Sequence, residues 1–248
     1  MNILFQTEWL DRTEMLINAS NLAKLRQSHV LVVGLGGVGA YAAEMLCRAG
    51  VGQLTIIDGD TIQPSNRNRQ LLALCSNESR LKTETMAERL FDINPQVRLE
   101  LFSEFIRDDR LIEIVSRNYD YIVDAIDTLA PKIFLLHYAL KNNHRIVSSM
   151  GAGGKIDPLQ IRVDDISKTY NCRLAYILRK RLRKLGVTTG IKAVFSTEQI
   201  NKELVTPCDE LNKKSVVGTI SYLPAMFGCI CASVVIRDII TTKKTQPM

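Results

Sequence analysis

An α/β fold, doubly wound around a mainly parallel sheet, is what this sequence predicts, and three observations carry the prediction. Short apolar runs rich in Val, Ile and Leu recur along the chain, as strands buried on both faces require. Helical patterns separate them, which implies crossover connections and not hairpins. The first run passes into its helix through a glycine-rich turn, Gly34-Leu-Gly-Gly-Val-Gly39.

The elements follow in order. Thr7–Leu25 reads as one or two helices, interrupted near Asn18–Asn21, where asparagine favours a turn. His29–Val33 is a buried strand, Gly36–Ala49 a helix and Leu54–Asp58 the second strand. Helical sequence comes next at Asn68–Leu74 and Arg80–Asp92, then a strand at Val97–Phe102 and a helix at Asp109–Arg117. Tyr119–Ile126 (strand), Pro131–Asn142 (helix) and Arg145–Met150 (strand) complete the alternation, which is that of a Rossmann-like sheet. After Gly151-Ala-Gly-Gly154 the rhythm changes. Strands at Ile161–Val163 and Ala193–Phe195 flank a basic helix, Cys172–Leu185, and a polar stretch, Ser196–Ser215, leads to a C-terminal strand and helix. Residues 1–28 therefore form an N-terminal helical segment. Residues 29–248 form one domain with a basic excursion at 166–197.

The chain has 248 residues, of which 46% are hydrophobic and 23% charged, a globular balance that excludes disorder and collagen-like repeats. Its six cysteines, Cys47, Cys75, Cys172, Cys208, Cys229 and Cys231, contain no CxxC pair, which speaks against a zinc knuckle. The N-terminus carries no secretory signal pattern, so reduced thiols and a cytoplasmic location are expected. Net charge is +6 and the isoelectric point is near 9.0. Eight basic residues lie between Ile166 and Thr197 with no Asp or Glu among them, so the positive field is local.

Val216–Ile236 is uncharged and long enough for a membrane span. Pro224 argues otherwise. Gly218–Leu223 alternates like a strand and Pro224 suits the first turn of a new helix, leaving about 16 residues, or roughly 24 Å, for a helix buried in the fold or at an interface.

The glycines of the first turn permit a phosphate to approach backbone N–H groups at a helix N-terminus. Asp58 ends the second strand, where a carboxylate can hold a ribose hydroxyl. These features fit a nicotinamide-dependent oxidoreductase and an ATP enzyme equally, and a ligand-free tight turn would read the same. The next stretch separates the nucleotide readings. Asp58-Gly-Asp60 is followed by Ser65-Asn-Arg-Asn-Arg-Gln70 and by Lys82 on a helix. Cations so close to a ribose-binding Asp suit a triphosphate, where charge must be neutralised as pyrophosphate leaves. A solvated polar loop is the bland alternative. Asp127, in Asp124-Ala-Ile-Asp127, stands on the ligand-binding edge, placed either to hold Mg²⁺ or to cap the next helix.

Taken together, Gly-x-Gly-Gly-x-Gly, Asp-x-Asp, Ser-Asn-x-x-Arg-Gln, the downstream Lys and Asp127 resemble the ThiF/MoeB/HesA family of ubiquitin-activating-like adenylating enzymes. The branch of that family that dehydrates threonylcarbamoyladenosine in tRNA is the most similar. That likeness is carried by Arg12-Thr-Glu-Met-Leu-Ile17, Pro131-Lys132, Gly151-Ala-Gly-Gly-x-x-Asp-Pro158, Val194-Phe-Ser-Thr-Glu198 and Gly218-Thr-Ile-Ser-Tyr-Leu-Pro224. The resemblance implies that Gly34, Gly36, Gly37 and Gly39 cradle phosphate and that Asp58, with Asp60, serves the ribose. It implies further that Asn66, Arg69, Gln70 and Lys82 hold the triphosphate and that Asp127 binds Mg²⁺. Arg12 would reach into the partner subunit's site, so residues 1–28 would serve a homodimer. Mg²⁺, a monovalent cation (K⁺ or Na⁺) and a cysteine-desulfurase sulfur-acceptor system are the accompanying expectations. The chain departs from the family at Asn18 and Asn21, where glycines are usual, and in lacking the zinc-binding CxxC pairs of the carrier-protein activators.

The reaction implied begins with transfer of the substrate carboxylate onto AMP, which makes a poor electrophile reactive. The carbamoyl nitrogen of the same substrate then closes a ring with loss of one water. That nucleophile is intramolecular, so no catalytic cysteine is required, and Cys172 and Cys208 read as inert thiols. Arg173, Arg179, Lys180, Arg181, Arg183 and Lys184 are the candidates for tRNA phosphates, against the plainer reading of a solvated cationic face. His29, His137 and His144 read as structural. Two other functions stay open on the sequence: adenylation of a ubiquitin-like carrier's C-terminus, and nicotinamide-dependent redox chemistry.

Overall fold

The strand β1 (His29–Val33) is buried at four of its five positions, as the central strand of a parallel sheet must be. In the structure, a computed structural model that describes residues 8–199, 205–210 and 213–242, six more strands join it. They are β2 (Gln53–Ile57), β3 (Arg98–Phe102), β4 (Tyr121–Asp124), β5 (Ile146–Ser149), β6 (Ile161–Asp165) and β7 (Lys192–Ser196). Their order is β3-β2-β1-β4-β5-β7-β6, parallel throughout except for the antiparallel pair β6–β7. Both edge strands carry polar, exposed residues, which discourages further pairing.

Helices α1 (Asp11–Ile17) and α2 (Ala19–Gln27) precede the sheet. The break between them falls at Asn18, whose φ of 67° is left-handed and whose side chain accepts the Asn21 N–H at 3.0 Å. Asparagine thus fills a position where glycine would otherwise be expected. Beyond β1 come α3 (Gly39–Arg48), α4 (Lys82–Ile93), α5 (Asp108–Val115), α6 (Leu129–Lys141), α7 (Arg173–Arg183) and α8 (Tyr222–Thr241). Leu25 of α2, Ala43 and Leu46 of α3, Met86 and Leu90 of α4 and Phe227 and Val235 of α8 share one apolar core with the sheet. Leu111 and Ile114 of α5, Leu135 and Leu136 of α6 and Leu178 and Leu182 of α7 form the other. The sheet is therefore doubly wound, as expected.

Register decides where the site lies. Val33 pairs with both Ile57 and Asp124, so β1, β2 and β4 end side by side. Chain order reverses direction across β1 and β4, the crevice where such sheets take their ligands.

Three local expectations are corrected. Asn68–Leu74 is a run of turns and not a helix, held by bonds such as Ala73 N–H to the Gln70 carbonyl. The polar stretch before the last helix contains an antiparallel hairpin, β8 (Val205–Glu210) and β9 (Lys213–Val217), with a register shift between Pro207 and Glu210. Gly218–Leu223 is not a strand: β9 ends before it, and Tyr222 and Leu223 already belong to α8 with Pro224 in the first turn. The helix thus has 20 residues, about 30 Å, and is long and apolar enough to cross a membrane by length and composition. Half of its apolar window is buried inside the fold. Gly228 lets it press on α3, because a Cβ there would lie 2.3 Å from the Val38 carbonyl oxygen. Tyr121 and Lys192 anchor its Asp238 at 2.8 Å and 2.6 Å.

Candidate active site

The glycine turn is dictated by contact. Gly34, with φ of +91°, would place a Cβ 2.9 Å from the Ala125 carbonyl oxygen, and Gly39 would place one 1.7 Å from the Gly34 oxygen. These two glycines fold the loop onto itself and onto the end of β4. Gly37 is hemmed in by Pro224 of α8 and by the Arg69 carbonyl. Gly36 differs: a Cβ there would meet only the Gln70 amide, at 3.9 Å. Its backbone therefore faces open space above the N-terminus of α3, a shape that suits an anion. Gln70 closes one side of the cradle, and its buried Oε1 has no hydrogen-bond partner.

Asp58 follows β2 and is nearly enclosed. It accepts the Leu35 N–H at 2.6 Å and the Asp60 N–H at 2.8 Å, so it also fixes the glycine loop. Burial pushes its carboxyl above the ordinary range, against the opposing pull of the Lys82 ammonium and these two N–H groups. Lys82, the first residue of α4 and itself buried, lies 2.8 Å from Asp60 and 3.7 Å from Asp58. Arg69 turns its guanidinium onto the Ser65 carbonyl and the Asn68 side chain, while its own carbonyl touches the Gly37 position. Asn66 spends its side-chain oxygen on the Gln63 N–H, shaping the turn that presents Arg69. Asp127 is exposed just beyond β4 on the same edge.

Beneath that edge sits a network to which the sequence assigns no role. Lys132 and Asp124 are both fully buried and 2.7 Å apart. Lys132 donates to the carbonyls of Ile126 at 3.0 Å and Ser149 at 2.8 Å. Asp124 accepts the Ile126 N–H at 3.1 Å and the Ser148 hydroxyl at 2.6 Å. Both backbone groups of Ile126 are thereby held, and Asp127 is the next residue. In the sequence both residues stand only within the motifs of the family likeness, Lys132 as a lysine on an otherwise apolar helix face. Two other contributions depend on packing alone. The exposed ring of Phe105 lies against Gly59, where a Cβ would approach it to 2.7 Å. The Asn68 amide ties the loop to the Thr219 carbonyl at 3.0 Å.

Gly34, Gly36, Gly37, Gly39, Asp58, Asp60, Asn66, Arg69, Gln70, Lys82 and Asp127 thus gather along one edge. Arg12 does not. Leu10, two residues before it, packs at the Gly50 position beside the start of β2, at the opposite edge of the sheet. A cleft lined by Trp9, Arg26, Asn94 and Arg98 opens at that far edge too. Among the candidates on α7, Arg173, Lys180, Arg181, Arg183 and Lys184 are exposed. Arg179 is a correction: its guanidinium turns inward onto the carbonyl and hydroxyl of Thr169, anchoring the start of the helix, and is not free for a phosphate. The described residues contain no group of three or more metal-ligating His, Cys, Asp or Glu side chains. Burial pushes the Cys47 and Cys231 thiols up to about 12, and Cys172 is also buried. The histidines are structural where they bond, His29 to Thr55 and His144 to the Val115 carbonyl.

A glycine cradle at the switch point, an enclosed ribose-level Asp and a paired Lys define a nucleotide-binding protein with the wiring of an adenylating enzyme, and a ThiF-family profile matches residues 10–248. The chain belongs to the ThiF family. Its named relatives narrow the class. It is 40% identical over 210 residues to the tRNA threonylcarbamoyladenosine dehydratase of Escherichia coli, covering 81% of this chain and 78% of that one. It is 35% identical over 237 residues to the Bacillus subtilis protein of the same name, covering 92% and 93%. Among solved structures, the E. coli dehydratase in complex with ATP superposes with a TM-score of 0.86 at 36% identity, over 94% of each chain.

Proposed function

We propose that this chain is an ATP-dependent tRNA threonylcarbamoyladenosine dehydratase. The observation that carries the reading is the near-complete correspondence, in sequence and fold, with relatives of that name, one of them solved with ATP on this architecture. The site's chemistry agrees. The open Gly36 face and the N-terminus of α3 receive phosphate, and Asp58 accepts a ribose hydroxyl. Lys82 and Arg69 offset charge on the triphosphate as pyrophosphate departs. The exposed ring of Phe105 beside Gly59 offers an apolar face to the adenine. Asp127, exposed at the open edge, would hold Mg²⁺, which would offset charge on the triphosphate and needs few protein carboxylates.

The bond changes are simple. The threonyl carboxylate displaces pyrophosphate from ATP, and the substrate's own carbamoyl nitrogen then displaces AMP, closing a ring with net loss of water. No thiol takes part. The enzyme acts as a homodimer: Arg12 stands at the far edge of its own sheet, and beside it Met15 and Leu16 are 86% and 84% exposed, an apolar surface ready for a second subunit. In that dimer residues 1–28 form the pairing segment, Arg12 enters the partner's site, and 29–248 form the adenylating domain. The substrate tRNA, a monovalent cation (K⁺ or Na⁺), a cysteine-desulfurase partner and a cytoplasmic setting complete the reading.

The test combines purified protein, ATP, Mg²⁺ and tRNA bearing threonylcarbamoyladenosine, with mild digestion and nucleoside mass spectrometry. A nucleoside lighter by one water, seen only with ATP and lost in Asp127→Ala, supports the reading. ATP consumption with no mass change would overturn it and direct attention to a carrier protein's C-terminus.

A further inference from the structure

Helix α7 has two chemically distinct faces. Ala175, Leu178 and Leu182 are buried in the second core. The other side carries Arg173, Lys180, Arg181, Arg183 and Lys184, none of them in an ion pair among the described residues. About one turn in from the start of that side sits Tyr176, 60% exposed. With 3.6 residues per turn, Arg173, Tyr176, Lys180, Arg183 and Lys184 fall on one stripe. An aromatic ring left in water contributes little to the core, and its neighbours Arg173 and Lys180 make no ion pair among the described residues.

The helix has a direction as well. The Asn171 amide bonds the Thr197 carbonyl at 3.0 Å, which sets the start of α7 beside the end of β7. That is the edge bearing Gly34 and Asp127, since β7 runs parallel to β5, β4 and β1. Tyr176 therefore lies at the nucleotide-binding end of the stripe, and Arg183 and Lys184 at the far end. Tyr170, 54% exposed, leans edge-on against Phe195 at the same end.

We propose that Tyr176 is a stacking platform for an unpaired base in an RNA loop, with the flanking arginines and lysines on its phosphates. The proposal rests on the tRNA reading above and deepens it. A duplex would offer this stripe only phosphates, whereas a loop offers a splayed base that can lie on the ring. Acid-free charge on the stripe selects a polyanion, and the ring within it selects an unpaired strand. The loop would then point along α7 toward the adenylating edge.

Binding of the full chain is measured against two RNAs: a hairpin of the anticodon stem-loop type, and the blunt duplex of the same stem. Tyr176→Ala is expected to weaken hairpin binding by about 5- to 150-fold and leave duplex binding within about twofold. Tyr176→Phe keeps the ring and retains hairpin binding. The salt dependence is unchanged in Tyr176→Ala and reduced in Lys180→Ala, because only the lysine releases counterions. Circular dichroism checks that the variants are folded. If wild-type protein binds neither RNA, the tRNA reading fails and the platform with it. If it binds the hairpin and Tyr176→Ala binds it equally well, or loses hairpin and duplex to the same extent, the platform alone is refuted.

Discussion

Replacing Lys132 by Met removes one half of an ion pair that has no access to water. Asp124 keeps its bonds from the Ile126 N–H and the Ser148 hydroxyl, but its charge is left without a counterion. The carbonyls of Ile126 and Ser149 also lose their donor. Breaking a buried pair from one side costs about 3–5 kcal/mol. At roughly 2–4 °C per kcal/mol for a chain of this size, the midpoint of thermal unfolding should fall by about 6–20 °C. Differential scanning calorimetry measures the loss, and a double-mutant cycle with Asp124→Asn locates its cause. The amide can still accept from Ile126 N–H while carrying no charge, so the double variant should recover about 0.5–3 kcal/mol relative to the sum of the singles. Because both backbone groups of Ile126 are held by this network, Lys132→Met should also raise the KM for ATP through a displaced Asp127. A melting point within about 2 °C of wild type, or strict additivity in the cycle, would refute the energetic argument. A large destabilisation with an unchanged KM would refute the positioning one.

Other outcomes follow from the same geometry. Asp127→Ala should lower kcat by at least about 100-fold in the dehydration assay. Gly36→Ala should fold normally and raise the KM for ATP, whereas Gly39→Ala should yield little folded protein, because its Cβ collides with the Gly34 carbonyl. Mixing inactive Arg12→Ala with inactive Asp127→Ala should restore about a quarter of wild-type activity, since half the randomly paired dimers carry one intact composite site; no recovery would exclude an arginine acting in trans. Asp58 has a raised carboxyl pKa because of burial, so its protonation sets in above the ordinary aspartate range. Its ionised form is therefore the one the fold disfavours, and acidification relieves that cost while removing the ribose acceptor. The KM for ATP should rise on acidification earlier than an exposed aspartate would require, and Asp58→Asn should abolish that pH dependence.

The strands, the glycine turn and the Asp at the end of the second strand were legible because each is written locally. Buried parallel strands need unbroken apolar runs, a phosphate turn needs glycines where side chains would collide, and both signals fit within a few residues. The chain could therefore be placed as a doubly wound adenylating enzyme from its residues and their resemblance to a family. What lay beyond the sequence depends on partners distant in the chain. Lys82 meets Asp58 and Asp60 only because the loop after β2 closes on the start of α4, where the Lys82 N–H bonds the Asp60 carbonyl, and Lys132 meets Asp124 only inside the closed core. Arg179 looked like its basic neighbours until the fold gave it the Thr169 carbonyl. The alternation at Gly218–Leu223 resembled a strand, yet a strand requires a free edge to pair with and a helix requires only its own backbone, so Tyr222 and Leu223 joined α8. Arg12 was expected in the partner subunit's nucleotide site, and only the tertiary structure shows that it stands at the opposite edge of its own sheet from its own chain's site, since which edge a residue occupies is fixed by packing and not by the residues beside it.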